Sequence, residues 1–317
     1  MSNKQQINHI SKFYMWIAIC SVALAIILIV VSSFYDWNIS EALALPYLDI
    51  THQMTTNIYG LIMFIIGDVF LGLIPGVLAI IVVFFTAYRI QHRVRKIVCK
   101  VILIIILVAL IFGQFYGALI NLFDVLKAFY HPGDQMMLII EIVVPLILGL
   151  GIAPLLLWLF SKIQIGYIQN MWKWAVAAII ILIINMLIIQ VLKTSLPRER
   201  FYSNVFNTNG GDEQLFVPWY LLGQHTNASG KSFPSGHTQQ ACSLLCIVSI
   251  PLFIKCNKKR LCLLTIIPFL LIFAVMIGRI VAGAHYLSDV SYAFLICSII
   301  TISTYYATIK LKRKMNK

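Results

Sequence analysis

The fold class follows from the stretch WKWAVAAIIILIINMLIIQVLKTSLPRER at residues 172–200. Its apolar part, 173–192, has the length of about 20 residues that an α-helix needs to cross a bilayer. Directly after this part, Lys193, Arg198 and Arg200 follow within one short loop. The stretch therefore predicts a transmembrane helix with cations gathered at one end.

Seven other segments have a similar composition, which indicates a polytopic membrane protein. The eight predicted spans are 13–34, 61–88, 98–120, 136–160, 173–192, 238–254, 261–278 and 285–309. We therefore predict an all-α fold, a membrane helix bundle of about eight transmembrane helices.

The composition excludes several other classes of protein. Hydrophobic residues make up 61% of the 317 positions and charged residues 11%, whereas a soluble domain has about 25% charged residues. Such a chain cannot cover a compact body with polar surface, which excludes a soluble enzyme, a secreted disulfide scaffold and a disordered tail. The formal net charge is +13, but no basic patch has interleaved polar surface, so no nucleic-acid partner is expected.

The positions of Lys and Arg predict the orientation. If the N-terminus is cytoplasmic, most of the 24 Lys and Arg residues fall on the cytoplasmic side, as the positive-inside rule requires. We therefore expect a multi-pass protein of the cytoplasmic (inner) membrane with both termini cytoplasmic. The cations left on the outer face lie mainly in 193–237 and 279–289, and these two stretches need a separate explanation.

Three stretches of the predicted outer face carry residues that can bind phosphate. They are Lys193–Arg200, Ser232–Thr238 with the sequence SFPSGHT, and Arg279–Asp289 with the sequence RIVAGAHYLSD. Arg binds phosphate through its bidentate fork and Lys as a point charge, while a glycine at a helix start lets an anion approach the backbone N–H groups. Each feature has a plainer interpretation, because such cations can extend to lipid headgroups and Ser235 can serve as a helix cap.

His285 and Asp289 are candidates for a reactive pair. They are four residues apart, so they share one face if the last helix has begun there. A carboxylate can then hold one imidazole nitrogen and leave the other as a base or nucleophile. His225, in the long outer loop, is a further candidate for a substrate contact.

Together, the three stretches resemble the type-2 phosphatidic acid phosphatase (PAP2) superfamily, whose pattern is K-x6-R-P, P-S-G-H and S-R-x5-H-x3-D. The K-x6-R spacing begins at Lys193, residues 234–237 read PSGH, and the R-x5-H-x3-D spacing begins at Arg279. Two positions depart from the pattern, since Phe201 replaces the proline and Gly278 replaces the serine.

The resemblance implies a metal-independent phosphatase that works through a phosphohistidine, with a six-helix core at 98–317 and two additional helices at 1–97. His285 would attack phosphorus, Asp289 would orient His285, and His237 would protonate the departing oxygen. The phosphoryl oxygens would be held by Lys193, Arg200, Ser235, Gly236 and Arg279. We expect no cofactor and no metal site, because three cations can take the place of Mg²⁺ and the sequence contains no acidic cluster.

We expect a lipid phosphate as the substrate, because all three motifs adjoin the ends of predicted spans. Arg198 and Lys231 are two further cations of the outer loop that could neutralise a second phosphate. They make a polyprenyl pyrophosphate, such as undecaprenyl pyrophosphate, the leading specific candidate. Phosphatidate, phosphatidylglycerol phosphate and lipid A are alternatives, and the sequence gives no oligomeric state.

Other functions share part of this pattern. A lipid-linked phosphotransferase would use the same site with a different acceptor. Soluble vanadium haloperoxidases carry the same motifs, but eight apolar spans argue against that class. A catalytically silent lipid-binding or transport protein would use the intramembrane polar residues Asp68, Glu141 and Asn185, which could equally form interhelical hydrogen bonds.

Overall fold

The computed structural model describes residues 3–50, 54–87, 91–126, 134–163, 165–223, 230–254 and 256–315. The helices of these residues are, in chain order, α1 (Asn3–Ala44), α2 (Ile58–Ile65), α3 (Leu73–Thr86), α4 (Arg93–Leu126), α5 (Asp134–Ser161), α6 (Ile165–Asn170), α7 (Trp172–Ser195), α8 (Phe201–Asn207), α9 (Gly236–Cys242), α10 (Leu245–Val248), α11 (Lys258–Val281) and α12 (Leu287–Met315). Two short antiparallel strands, β1 (Leu48–Asp49) and β2 (Met54–Thr55), follow α1. The predicted all-α fold is confirmed.

Six helices in the described part of the chain are long and apolar enough to cross a membrane. They are α1, α4, α5, α7, α11 and α12. Long apolar runs form helices because a spanning segment must satisfy its own backbone N–H and C=O groups in lipid. These helices correspond to six of the eight predicted spans, and they identify a membrane protein.

The other two predicted spans are interrupted, which corrects the prediction of continuous helices there. The predicted span 61–88 consists of α2, a π-helical stretch at Ile66–Leu71, and α3. The predicted span 238–254 consists of α9, α10 and a 3-10 turn at Ile250–Leu252. Hydropathy does not reveal either break, because the sequence is apolar on both sides of each one.

Neighbouring side chains satisfy the backbone at both breaks. The Ser243 hydroxyl donates a hydrogen bond to the Leu71 carbonyl at 2.9 Å, which links the two interrupted spans. The Trp174 indole N–H donates to the Cys246 carbonyl at 2.8 Å. Irregular backbone is tolerated at membrane depth where other parts of the protein supply such partners.

Residues 1–97, here called the N-terminal extension, pack into the same bundle as the rest of the chain. α1 lies against α12, and α2 lies against α11. The second contact is very close, because a Cβ atom added at Gly278 would overlap the Met63 side chain. The Tyr59 hydroxyl also donates a hydrogen bond across this contact to the Ala274 carbonyl at 2.7 Å.

An apolar cluster supports the loops at one end of the bundle. It contains Trp37, Ala44, Phe201, Val205 and Tyr286, which are all buried. These residues come from α1, from α8 and from the turn before α12. The cluster therefore holds the first and third motif stretches against the end of α1.

Candidate active site

The backbones of the first two motif stretches pair with each other. The Arg198 N–H donates to the Gly230 carbonyl at 3.0 Å, and the Ser232 N–H donates to the Arg198 carbonyl at 3.0 Å. Gly230 allows this crossing, because a Cβ atom there would overlap the Arg198 carbonyl group. The pairing places the PSGH sequence beside the loop that follows α7.

The second and third motif stretches are joined in the same way. The Ser235 N–H donates to the Asp289 carbonyl at 3.1 Å. Within the third stretch, the His285 N–H donates to the Arg279 carbonyl at 3.2 Å and closes the turn. Gly283, in the turn between α11 and α12, has a φ of +67° that a glycine adopts readily. All three stretches therefore meet at one end of the bundle.

His285 is held beside Asp289 in a buried position. Its side chain is 1% exposed, and Nδ1 lies 3.6 Å from Asp289 Oδ2. The same carboxylate oxygen accepts hydrogen bonds from the Ser232 hydroxyl at 2.5 Å and from the Tyr286 N–H at 2.9 Å. Because Nδ1 faces the carboxylate, Nε2 is the ring nitrogen placed to act as a nucleophile.

Burial shifts both site histidines towards the neutral form. Burial lowers the pKa of His285 to about 3; the hydrogen bond with Asp289 opposes this shift, and the charges of Arg279 and Lys193 add to it. Burial also lowers the pKa of His237 well below its usual range, and the charge of Arg279 contributes next. A neutral imidazole has the lone pair that nucleophilic attack requires.

Lys193, Arg200 and Arg279 converge on His237. After burial, the charge of Arg279 lowers the pKa of His237, and the charges of Arg200 and Lys193 lower it further. Lys193 and Arg279 lie in the last turns of α7 and α11, and Arg200 directly precedes α8. A cluster of Lys and Arg beside two histidines can bind a phosphate and neutralise its charge.

Local contacts hold two of these cations in place. The Lys193 ammonium donates a hydrogen bond to the Lys231 carbonyl at 2.8 Å, and the lysine chain passes next to Gly236. Arg200 Nη1 donates to the Tyr202 hydroxyl at 2.5 Å. Both contacts fix the direction of a long side chain and so reduce the entropy lost on binding a phosphate.

Ser235 caps α9, as the plainer interpretation of the sequence expects. Its hydroxyl oxygen accepts hydrogen bonds from the Thr238 N–H at 3.3 Å and from the Thr238 hydroxyl at 3.0 Å. These roles use the acceptor capacity of the oxygen, so its hydrogen can still be donated to a phosphate oxygen.

Arg198 does not face the site, which corrects its prediction as a substrate contact. The side chain is 1% exposed, and its two terminal nitrogens lie 2.6 Å from Asp289 Oδ1 and 2.9 Å from Asp36 Oδ2. The guanidinium carbon is also 4.1 Å from the Tyr286 ring centroid. Two buried carboxylates neutralise Arg198, so it cannot serve a second phosphate.

Of the two remaining predicted contacts, Lys231 and His225, the structure describes only Lys231. Lys231 is exposed beside Lys193. His225 lies outside the described residues, and so does the side chain of Asp68. Within the described ranges, no group of three or more His, Cys, Asp or Glu residues is placed to hold a metal ion.

The structure adds residues that the sequence does not predict. The Phe64 ring lies 4.9 Å from the His237 ring and 4.9 Å from the guanidinium carbon of Arg279. Asp36 reaches Arg198 from α1. The only sequence signal for Asp36 is its position as an acidic residue just beyond a predicted span. Phe64 has no such signal, because it lies in an apolar segment.

Both departures from the PAP2 pattern contact the N-terminal extension. Phe201 packs on Trp37 of α1, with ring centroids 5.0 Å apart. Gly278 lies against Met63 of α2. The extension therefore gives a physical reason for the residue found at each of these positions.

Comparison with known proteins agrees with the motif pattern. Residues 174–313 match the family model of the PAP2 superfamily, while no curated protein and no solved structure matches the chain. Members of this superfamily are generally phosphatases, so at the family level the match supports a phosphoester hydrolase. With its motifs gathered at one end of an apolar helix bundle, the chain carries a PAP2 superfamily domain at residues 174–313.

Proposed function

We propose that the protein is an integral membrane phosphatase that removes phosphate from a lipid through a phosphohistidine intermediate. The observation that carries the proposal is the buried His285, whose Nδ1 lies 3.6 Å from Asp289 Oδ2 where the three motif stretches meet. The charges of Arg279, Arg200 and Lys193 also act on the second histidine, His237. Phosphoryl transfer mainly needs positioning and charge neutralisation, and fixed cations supply both.

In the first step, His285 Nε2 attacks phosphorus and the bond from phosphorus to the lipid oxygen breaks. His237 donates a proton to the departing oxygen, so that the lipid leaves as an alcohol. The negative phosphate offsets the cations that lower the pKa of His237, and it thereby favours the protonated form that this step needs. Asp289 stabilises the positive charge that develops on His285.

In the second step, a water molecule attacks the phosphohistidine. His237 accepts a proton from this water as the bond between nitrogen and phosphorus breaks. Inorganic phosphate leaves, and His285 returns to its neutral form. If the lipid carries a pyrophosphate, the same two steps release a lipid monophosphate first.

We place the site at the outer face of the cytoplasmic membrane. α11 begins with Lys258, Lys259 and Arg260, and Arg279 lies in its last turn. A helix of 24 residues is about 36 Å long, so the basic start and Arg279 lie at opposite sides of a bilayer. The positive-inside rule places the basic start in the cytoplasm, together with both termini.

We propose a lipid phosphate as the substrate, because the reactive groups lie at the ends of membrane-crossing helices. The lipid tails can stay in the bilayer while the phosphate reaches His285. Undecaprenyl pyrophosphate remains the specific candidate, but only Lys231 now supports it, because Arg198 is neutralised inside the protein. Phosphatidate, phosphatidylglycerol phosphate and lipid A are the alternatives.

The test is phosphate release by the purified protein from a panel of these lipids. His285→Ala should lower the rate of phosphate release on the order of 10³-fold or more. His92→Ala is the control and should keep the wild-type rate, because His92 is exposed and far from the motifs along the chain. The wild type should also form a phosphoenzyme that is labile in acid and absent from His285→Ala. Near-normal turnover by His285→Ala would contradict the mechanism.

A further inference from the structure

Asp36, in the N-terminal extension, makes a buried connection to the motif residues. Its Oδ1 accepts a hydrogen bond from the Ser288 N–H at 2.9 Å, and its Oδ2 accepts one from the Ser288 hydroxyl at 2.5 Å. Oδ2 also pairs with Arg198 Nη2 at 2.9 Å. α1 thus contributes a carboxylate to the start of α12, one residue before Asp289.

Arg198 connects the two carboxylates. Its Nη1 donates to Asp289 Oδ1 at 2.6 Å and to the Ser288 hydroxyl at 2.7 Å. Its Nε donates to the Val217 carbonyl at 2.9 Å, so every nitrogen of the guanidinium has a partner. Because Asp36 holds Nη2, the rigid planar fork directs Nη1 at Asp289.

This arrangement determines how Asp289 meets His285. With Oδ1 bound to Arg198, Oδ2 is left for Ser232, for the Tyr286 N–H and for His285. The plane of the carboxylate is therefore set from both sides. Burying two carboxylates and a guanidinium costs more than filling the same volume with apolar side chains, so stability alone does not account for the network.

We propose that Asp36 is a positioning residue for the phosphatase site. Asp36 acts through Arg198 and Ser288 to orient Asp289, and Asp289 in turn orients His285. The inference rests on the proposed function. It gives the N-terminal extension a part in the chemistry of a domain that the family match limits to 174–313. The carboxylate of Asp36 contacts Ser288 and Arg198.

Asp36→Asn is the direct test, because the amide keeps the shape of the side chain and removes its charge. We expect kcat to fall by about 10- to 100-fold, as for other residues that orient a catalytic group. KM should change less than about twofold, because Lys193, Arg200 and Arg279 are left intact; a general loss of packing would not separate the two constants. Ser40→Ala is the matched control, because it removes another buried polar group from α1. The Ser40 hydroxyl donates a hydrogen bond to the backbone carbonyl of Asp36 and not to its carboxylate. This variant should leave kcat unchanged.

A double-mutant cycle shows whether the effect passes through Arg198. Arg198→Lys keeps the positive charge and removes the planar fork. If Asp36 acts through Arg198, the double variant should be no slower than the slower single variant; if the two act independently, their losses should multiply. Multiplied losses would overturn the proposed route.

Wild-type kcat in folded Asp36→Asn would overturn the inference while leaving the proposed function intact. If the wild type released no phosphate from any lipid of the panel, the proposed function itself would be overturned. If Asp36→Asn does not fold, Ser288→Ala decides, since it removes one hydroxyl and keeps every charge. A lower kcat at constant KM in Ser288→Ala would support the inference, and an unchanged kcat would overturn it.

Discussion

The Phe64 ring lies against the His237 ring, with centroids 4.9 Å apart and an angle of 32° between the planes. The Arg279 guanidinium carbon is 4.9 Å from the same phenyl ring. Phe64 belongs to α2 of the N-terminal extension, whereas its two partners belong to the PAP2 motif stretches. An apolar ring at this place keeps water from the cations and so strengthens their interaction with a phosphate.

Phe64→Ala should therefore weaken catalysis. A cation–π contact contributes about 0.5–2 kcal/mol, so we expect kcat/KM to fall by roughly 2- to 30-fold on any lipid that the wild type accepts. Phe64→Tyr keeps the ring and should stay close to the wild type. Equal kcat/KM values for Phe64→Ala and the wild type would show that the ring has no part in the reaction.

Phosphate release should not depend on a metal ion. Lys193, Arg200 and Arg279 already supply positive charge around His237, so activity should survive dialysis against a chelator. Vanadate should inhibit, because it adopts the five-coordinate geometry of phosphorus during attack. Loss of activity on chelation, with recovery on adding Mg²⁺, would reveal a metal site and contradict this prediction.

His285 should remain neutral well below neutral pH. Burial lowers its pKa to about 3, and a lowered pKa means that the charged form appears only when the pH falls towards that value. In protein labelled with ¹⁵N-histidine, the His285 signals, assigned with His285→Gln, should keep neutral imidazole shifts from pH 8 to pH 5. Free histidine titrates near pH 6.5 and serves as the reference. A midpoint near pH 6 for His285 would contradict the burial argument.

Gly278→Ser, which restores the PAP2 pattern, should destabilise the protein. The added Cβ atom would overlap the Met63 side chain close to its backbone, and overpacking of this kind costs about 1–3 kcal/mol. Thermal unfolding in detergent should show a lower Tm. Gly151→Ser is the matched control, since a Cβ atom at Gly151 meets nothing within 4 Å, and its Tm should stay near the wild-type value.

The helix bundle can be predicted from the sequence because each long apolar run must satisfy its own backbone. The interruptions cannot be predicted in this way. They depend on tertiary partners, such as the Ser243 hydroxyl that binds the Leu71 carbonyl, and these residues are far apart in the chain. Hydropathy describes each segment alone and contains no information about such partners.

The candidate site, like the fold, is only partly predictable from the sequence. The motif spacing and the inferred sidedness predict that Lys193, His237 and His285 meet at one end of the bundle, and the structure places them there. The interpretation of Arg198 is wrong, because a loop cation looks available in the sequence whatever it contacts in the fold. Its partner Asp36 is distant in sequence, and no local pattern connects the two residues.

The last prediction concerns the choice between pyrophosphate and monoester lipids. Lys231 is the exposed cation next to Lys193 that could bind a second phosphate. An exposed charge pair contributes about 1 kcal/mol or less, so Lys231→Ala should lower kcat/KM for undecaprenyl pyrophosphate by up to about fivefold. For phosphatidate, which has no second phosphate, the loss should be smaller. Arg198→Ala should impair both lipids alike, because Arg198 contacts Asp289 instead of the substrate. Equal losses on both lipids for Lys231→Ala, or a wild-type preference for monoesters, would remove the support for a pyrophosphate substrate.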